Sequence, residues 1–162
     1  PPLTYGPGVN ANFFRLMKLA QKGVPLPFPM IRNKRSLVNR DNLVDLIATC
    51  IDHLDAAGNT FLVSDGEDVS TPDLIRKLAC AMRRPVRLLP LPPSLLRIGG
   101  CMIGKEIEVE RLIGSLQVDI NNTCQTLGWR PSVSMDDTIR ETVQDLFPGR
   151  QVDEKKIFDR RL

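Results

Sequence analysis

The sequence is poor in aromatic residues and has no long apolar run. Aromatic side chains make up 5% of its 162 residues, with one Trp and one Tyr, which argues against a protein that stacks nucleic-acid bases on aromatic rings. No run of about 18 apolar residues is present, and the first residues have neither the basic start nor the apolar stretch of a secretion signal. We therefore expect no nucleic-acid partner, no membrane partner and a cytoplasmic location.

The residue spacing of a metal site is also missing. The four cysteines and the single histidine are scattered, without a Cys-x-x-Cys pair, so neither a zinc site nor a disulfide-stapled scaffold is indicated. Cys50 and His53 fall one helical turn apart, but two ligands cannot complete a tetrahedral site. We predict reduced, packed thiols and no metal.

The chain does have enough apolar residues for one ordinary domain. Hydrophobic residues make up 42% of it, and the net charge is a mild +3, which is typical of a chain that buries a core. Residues 148–162 hold the densest group of Lys and Arg. We interpret residues 1–147 as the folded portion and residues 148–162 as a solvated basic tail.

Periodicity and capping residues predict an α/β fold, made mainly of helices with short strands. Apolar residues recur at helical spacing in several stretches, which begin at cap-forming residues or end at Gly or Pro. Strands are predicted at residues 1–5, 35–38 and 60–64. Helices are predicted from Asn10 or Asn12 to Gly23, from Asp41 to Leu54, from Ser70 or Thr71 to Met82, from Pro92 to Gly99 and Gly100, near Lys105 to Ile113, and from Ser134 to Leu146.

Four further local features carry structural predictions. Asp41 is predicted to cap its helix, and Ser134 with Asp137 resembles a capping box with Asp in the Glu position. The helix after Asp41 carries a continuous apolar stripe, which predicts burial of that face. The stripe comprises Leu43, Val44, Leu46, Ile47, Cys50, Ile51 and Leu54. Trp129 is predicted to be a core residue.

Three landmarks in fixed order carry a resemblance to a known family. They are Pro2-x-x-Tyr5-Gly6-Pro7-Gly8, then Arg35-Ser36-Leu37-Val38-x-x-Asp41-Asn42-Leu43-Val44, then Leu127-Gly128-Trp129-x-Pro131. Together they resemble the C-terminal, substrate-binding half of the extended short-chain dehydrogenase/reductases, the NAD-dependent epimerase/dehydratase family. Residues 111–119 resemble the branch of that family found with bacterial surface-polysaccharide synthesis, which includes UDP-sugar 4-epimerases and 4-keto reductases.

The resemblance implies a part of an extended Rossmann-type epimerase that lacks the N-terminal dinucleotide-binding sheet. That half carries the G-x-x-G-x-x-G turn and the Tyr-x-x-x-Lys pair, and neither occurs here. We therefore assign no catalytic residue to this chain and expect it to be inactive alone. The implied cofactor of the full enzyme is NAD or NADP, held mainly by the missing half, with Tyr5, Gly6 and Pro7 as residues that border the nicotinamide.

The implied ligand is a UDP-sugar, whose diphosphate calls for fixed cations. Arginine donates paired hydrogen bonds to phosphate oxygens and keeps its charge. By resemblance, Arg35 and Arg111 occupy the positions of the two diphosphate-binding arginines. The alternative is that each arginine lies on a solvated face.

Three more residues are substrate-binding candidates. Asn12 matches an asparagine that the family presents to the phosphate or ribose at a helix start, although capping explains the same residue. Leu26 and Phe28 lie in the proline-rich segment 24–29, which is predicted to be extended and stiff. They are candidates for a uracil slot, and core packing is the alternative.

Two departures from the family pattern stand out. Asn39-Arg40 replaces the usual Tyr or His followed by a small apolar residue, and Arg111 is followed by Leu-Ile-Gly where many relatives carry an acid. The first departure puts the packing against the missing half in doubt. The second leaves the ribose contact unassigned.

The predicted function is thus UDP-sugar binding within an NAD-dependent epimerase, dehydratase or reductase that transfers a hydride at a sugar carbon. The alternative is a non-catalytic nucleotide-sugar-binding module or a helical interaction module. The predicted partners are a UDP-sugar and the missing N-terminal half. Exposed strand edges also predict self-association, or partial disorder near residues 1–8.

Overall fold

The structure is a computed structural model that describes residues 1–8, 11–22, 31–85, 93–102, 104 and 106–147. Within these ranges, three short strands form one sheet in the order β1 (Leu3–Tyr5), β2 (Arg35–Asn39) and β3 (Asp68–Val69). Strand β1 runs parallel to β2, while β3 runs antiparallel to it. Strand β2 is therefore central, with a hydrogen-bonded neighbour at each of its edges.

The described part of the chain also contains seven helices. Their bounds are α1 Ala11–Lys22, α2 Arg40–Asp52, α3 Thr71–Ala81, α4 Pro93–Met102, α5 Glu106–Ile113, α6 Asn121–Leu127 and α7 Met135–Leu146, with a 3-10 turn at Leu54–Ala56. The predicted α/β class with mainly helices and short strands is confirmed. No helix among the described residues is long and apolar enough to cross a membrane.

Two hydrophobic clusters lie on opposite sides of β2. Leu37 joins a large cluster in which β1, α1, α3 and α7 bury side chains such as Phe13 and Leu78. Val38, the next residue, joins a smaller cluster with Leu46 and Trp129. Successive strand residues point to opposite faces, so this one strand joins both parts of the core. The core position predicted for Trp129 is confirmed.

The predicted caps are correct at two helices. The Ser70 hydroxyl accepts a hydrogen bond from the Asp73 N–H at the start of α3, and the Ser134 hydroxyl accepts one from the Asp137 N–H at the start of α7. Asp137 also accepts from the Ser134 hydroxyl at 2.5 Å. Both helices begin where the sequence predicts because the cap bonds are local.

The cap predicted for α2 is wrong. Asn39, the last residue of β2, is the N-cap, and its side-chain oxygen accepts a hydrogen bond from the Asp41 N–H. Asp41 lies in the first turn instead. A strand that passes directly into a helix leaves no linker, so the cap falls on the final strand residue. Likewise, Asn12 lies inside α1 as its second residue rather than at a cap position.

The strand predicted at residues 60–64 is also wrong. This segment is irregular, and it reaches β2 through one backbone bond at its end, from the Asp65 N–H to the Leu37 carbonyl at 2.9 Å. Val63 is buried in the smaller cluster, so the apolar residues of the segment do contribute to the core. A β-rich composition without a continuous hydrogen-bonded neighbour does not make a strand.

The end of helix α4 and the presence of helix α6 also differ from prediction. Helix α4 continues through Gly99 and Gly100 to Met102, because helical packing can override the low helix propensity of glycine. The sequence does not predict helix α6, since this helix has only seven residues and no side-chain cap bond. Gly128, with φ of 61°, ends α6 in the left-handed conformation.

The apolar stripe predicted to be buried on α2 is buried only in part. Leu46 is 4% exposed, whereas Val44, Ile47 and Ile51 are 58%, 52% and 77% exposed. Leu54, just after the helix, is 94% exposed. One side of α2 faces the protein's own core, and the adjacent apolar side faces outward.

Candidate functional site

The carboxyl ends of the two parallel strands meet at one edge of the sheet. Tyr5 ends β1, Asn39 ends β2, and the two residues are paired in register. In parallel α/β sheets, ligands bind at this edge, beyond the ends of the strands. The edge is therefore the first place to look for a site.

Asp65 joins the two strand ends. Its carboxylate accepts a hydrogen bond from the Tyr5 hydroxyl at 2.6 Å and from the Asn39 N–H at 2.9 Å. Burial and the adjacent Asp65 carboxylate raise the pKa of Tyr5 well above its usual value. Tyr5 therefore stays protonated at neutral pH and serves as a hydrogen-bond donor to Asp65.

Asn42 extends this network into the chain before α7. Its side-chain N–H donates to Asp65 at 2.8 Å, and its side-chain oxygen accepts from the backbone N–H groups of Ser132 and Val133. Asn42 is 1% exposed, and a buried amide must find such partners. We call Tyr5, Asn39, Asn42 and Asp65 the Asp65 network.

The loop that leaves β1 is held from both sides. Arg40 donates to the Pro7 carbonyl at 3.0 Å, and the Gly8 N–H donates to the Asp145 carboxylate at 2.9 Å. Gly6 has φ of 141°, a conformation that favours glycine. The unusual Asn39-Arg40 pair thus has local roles, since Asn39 caps α2 and Arg40 fixes the loop.

Arg35 lies at the other end of β2. It is partly buried, and this burial lowers the pKa of its guanidinium, although arginine remains charged at neutral pH. Four strand steps separate it from Asn39, which amounts to about 13 Å. The backbone of Arg35 therefore lies at the opposite end of β2 from Asn39.

The chain after α5 is hydrogen-bonded to the start of β2. The Asn33 amide donates to the Gly114 carbonyl at 3.0 Å, the Ser36 N–H donates to the Leu116 carbonyl at 2.8 Å, and the Leu116 N–H donates to Lys34. Arg111 lies three residues before Gly114, in the last turn of α5. The fold thus brings the end of α5 next to the beginning of β2.

A carboxylate lies beside this junction. Asp68 accepts hydrogen bonds from the Ser36 hydroxyl and the Gln117 amide, both at 2.6 Å. These two bonds, led by that of Ser36, lower the pKa of Asp68. The Ser36 hydroxyl in turn accepts from the Val118 N–H at 2.8 Å. The backbone around Arg35 is thereby fixed on both sides.

Of the five substrate-binding candidates, only Arg35 has a described side chain. Asn12 and Arg111 are placed by their backbone in α1 and α5, and their side chains lie outside the described structure. Leu26 and Phe28 lie outside the described residues altogether. The convergence of Arg35 and Arg111 on one diphosphate therefore stays a prediction.

Sequence reasoning missed most of the Asp65 network. Asn39 carried a usable signal, because an asparagine between a strand and a helix is a good cap. Asn42 stands beside an apolar stripe in the sequence and carries no signal of its role. Asp65 bonds a partner 60 residues away, at Tyr5, and no local pattern reveals such a pair.

Comparison with known proteins gives a relative but no matching family model. UDP-glucose 4-epimerase from Vibrio cholerae is 52% identical over 145 residues, which make up 89% of this chain and 44% of the relative. The resemblance to the NAD-dependent epimerase/dehydratase family is confirmed. The chain spans less than half the length of this relative.

Solved epimerase structures share the fold of this part of the family. UDP-glucuronic acid 4-epimerase from Bacillus cereus, in complex with NAD, matches with a TM-score of 0.63 and 17% identity over 89% of this chain and 42% of its own. UDP-glucose 4-epimerase from Thermotoga maritima, with UDP-glucose, matches with a TM-score of 0.61 and 17% identity over 90% of this chain and 43% of its own. The fold is thus a partial Rossmann-type epimerase fold.

Proposed function

We propose that this chain is the nucleotide-sugar-binding part of an NAD-dependent epimerase or a closely related reductase or dehydratase. The observation that carries the proposal is the 52% identity over 145 residues to a UDP-glucose 4-epimerase. The proposed ligand is a UDP-sugar, and the proposed partner is a companion half that supplies the catalytic groups. The chain alone is inactive under this proposal.

The diphosphate is assigned to the junction of α5 and β2. Arg35 is fixed there by strand pairing to Val69 and Leu116, and a cation on a rigid element loses little conformational entropy when it binds an anion. Arg111 belongs to the last turn of α5, three residues before Gly114 at this junction. Two arginines at one diphosphate would each contribute about 1.5–3 kcal/mol.

The residues present fit a border of a dinucleotide site rather than its centre. The carboxyl edge of the parallel strands holds Tyr5, Gly6 and Pro7, which begin the loop after β1. This loop is fixed by hydrogen bonds to Arg40 and Asp145. The sequence has no G-x-x-G-x-x-G turn to hold a pyrophosphate. When bound, NAD or NADP would supply hydride transfer at a sugar carbon, and this loop would line the nicotinamide.

Calorimetric titration of the chain with UDP tests the proposal. We expect weak binding, with Arg35→Met and Arg111→Met each reducing the affinity about tenfold or more, because each removes a charge-assisted bond to phosphate. Arg84→Met, at an exposed arginine after α3, is the matched control and should leave the affinity unchanged.

A different pattern of binding would reject the proposal. A chain that ignores UDP but binds a short oligonucleotide contradicts it. Equal losses for all three arginine variants would indicate non-specific attraction between the basic chain and the anion.

A further inference from the structure

Helix α2 exposes apolar side chains along one face. Val44, Ile47 and Ile51 follow the spacing that aligns residues on a helix, and Leu54 extends the row beyond the helix end. Their exposed fractions run from 52% to 94%. We call these four residues the exposed stripe.

The same helix is already anchored on another side. Asn42 and Leu46 are buried against the chain's own core, and the Trp129 indole N–H donates to the Asp45 carboxylate at 2.7 Å. A helix that is apolar on both its inner and outer sides is typical of a helix between two layers of a protein. The exposed stripe therefore indicates a second packing surface.

A row of carboxylates runs beside the stripe. It consists of Asp41, Asp45, Asp52 and Asp55, all exposed residues of α2 and the turn that follows it. Arg40 pairs with Asp41 at 3.0 Å and offsets one of these charges. If two copies of the chain packed stripe to stripe with their α2 helices antiparallel, the two carboxylate rows would lie on the same side of the contact and repel. A second copy is therefore a poor occupant of this surface.

The relative offers another occupant. This chain matches 44% of the Vibrio cholerae enzyme, so more than half of that enzyme has no counterpart in the residues compared. We propose that the exposed stripe is the contact surface for this companion half, through an apolar face with a neutral or basic rim. The inference rests on the proposed function, because it takes the family's companion half as the partner.

A chimera tests this assignment. The 145 matched residues of the Vibrio cholerae enzyme are replaced by their counterparts from this chain, and the melting temperature Tm is measured for the chimera and for the isolated chain. Ile51→Asp should leave the Tm of the isolated chain within about 2 °C, because an exposed substitution costs little. In the chimera the same change buries a charge and should lower Tm by about 5 °C or more.

Two further variants make the result decisive. Leu54→Asp lies outside α2, at the start of the 3-10 turn, and cannot act through the helix propensity of α2, so it should repeat the pattern of Ile51→Asp. Met102→Asp, at an 83% exposed residue of α4, is the matched control and should cost the same small amount in both proteins. If the two stripe variants cost no more in the chimera than Met102→Asp does, the inference is wrong.

Analytical ultracentrifugation of the isolated chain measures whether a second copy of the chain occupies the exposed stripe instead of the companion half. A dimer that Ile51→Asp dissociates would assign the stripe to a second copy and overturn the inference. UDP titration reports on the proposed function independently. If UDP binds but the stripe variants do not lower the Tm of the chimera more than Met102→Asp does, only the inference is rejected. If the stripe variants lower that Tm but UDP does not bind, only the nucleotide-sugar assignment is rejected.

Discussion

Helices α2 and α3 have similar lengths and apolar patterns but differ in their surroundings. Helix α3 packs against α1 and α7 and buries Leu74, Ile75 and Leu78. Helix α2 packs against β2 and leaves the exposed stripe in solvent. The apolar pattern of a helix thus does not by itself decide how much surface the helix buries within this chain. Under the proposed packing, the companion half covers the exposed stripe.

The largest expected effect separates the two helices directly. Leu78→Ala should lower the free energy of unfolding by about 2–5 kcal/mol, because it leaves a cavity at a fully buried position of α3. Ile47→Ala on α2 should change it by less than about 0.5 kcal/mol. Urea unfolding followed by the fluorescence of Trp129 measures both, and similar losses for the two variants would contradict the comparison.

The second effect concerns Tyr5 in the large cluster. Because folding raises the pKa of Tyr5, this tyrosine ionises at a lower pH in the unfolded protein than in the folded protein. This contribution to stability is fully present below the usual tyrosine pKa of about 10 and is lost as the pH rises toward the higher pKa of the folded state. Stability should fall by about 1.4 kcal/mol per pH unit in this window.

The absence of other tyrosines makes this prediction simple to check. Tyr5 is the only one, so absorbance of the ionised ring reports on it alone. We expect ionisation to coincide with alkaline unfolding, and Tyr5→Phe should remove the contribution of this residue to the pH dependence. Ionisation of Tyr5 near pH 10 in a protein that is still folded would contradict the raised pKa and the hydrogen bond from its hydroxyl to Asp65.

The smallest effect lies at the junction of β2 and α2. Asn39→Ala should cost about 1–3 kcal/mol, because it removes both the α2 cap and the buried bond from the Asn39 amide to the Thr138 hydroxyl. Asp41→Ala should cost less than about 0.5 kcal/mol, since Asp41 is an exposed residue of the first turn. Urea unfolding of the pair checks the assignment, and the reverse order would restore Asp41 as the cap.

The sequence predicts best what local bonds decide. The caps of α3 and α7 involve residues three positions apart, at Ser70 and Ser134, and the sequence predicts both helix starts. The β-rich composition of segment 60–64 predicts a strand, but strand pairing depends on distant neighbours. The fold class followed from the pattern of apolar residues, which tolerates such local errors.

In the candidate site too, sequence patterns identify some residues, while others are found only from contacts in the folded chain. The family landmarks identify Arg35 by its position in the sequence, and the structure places it in a paired strand. The Asp65 network joins residues as far apart as Tyr5 and Val133. No periodicity or cap pattern encodes such contacts, so these residues emerge only from the folded chain.

The most direct test of the account is a crystal structure of this chain with UDP. We expect the guanidinium groups of Arg35 and Arg111 to donate to the diphosphate oxygens, with nitrogen–oxygen distances below about 3.2 Å. A structure in which these two side chains lie on opposite surfaces, with UDP bound elsewhere, would contradict the account.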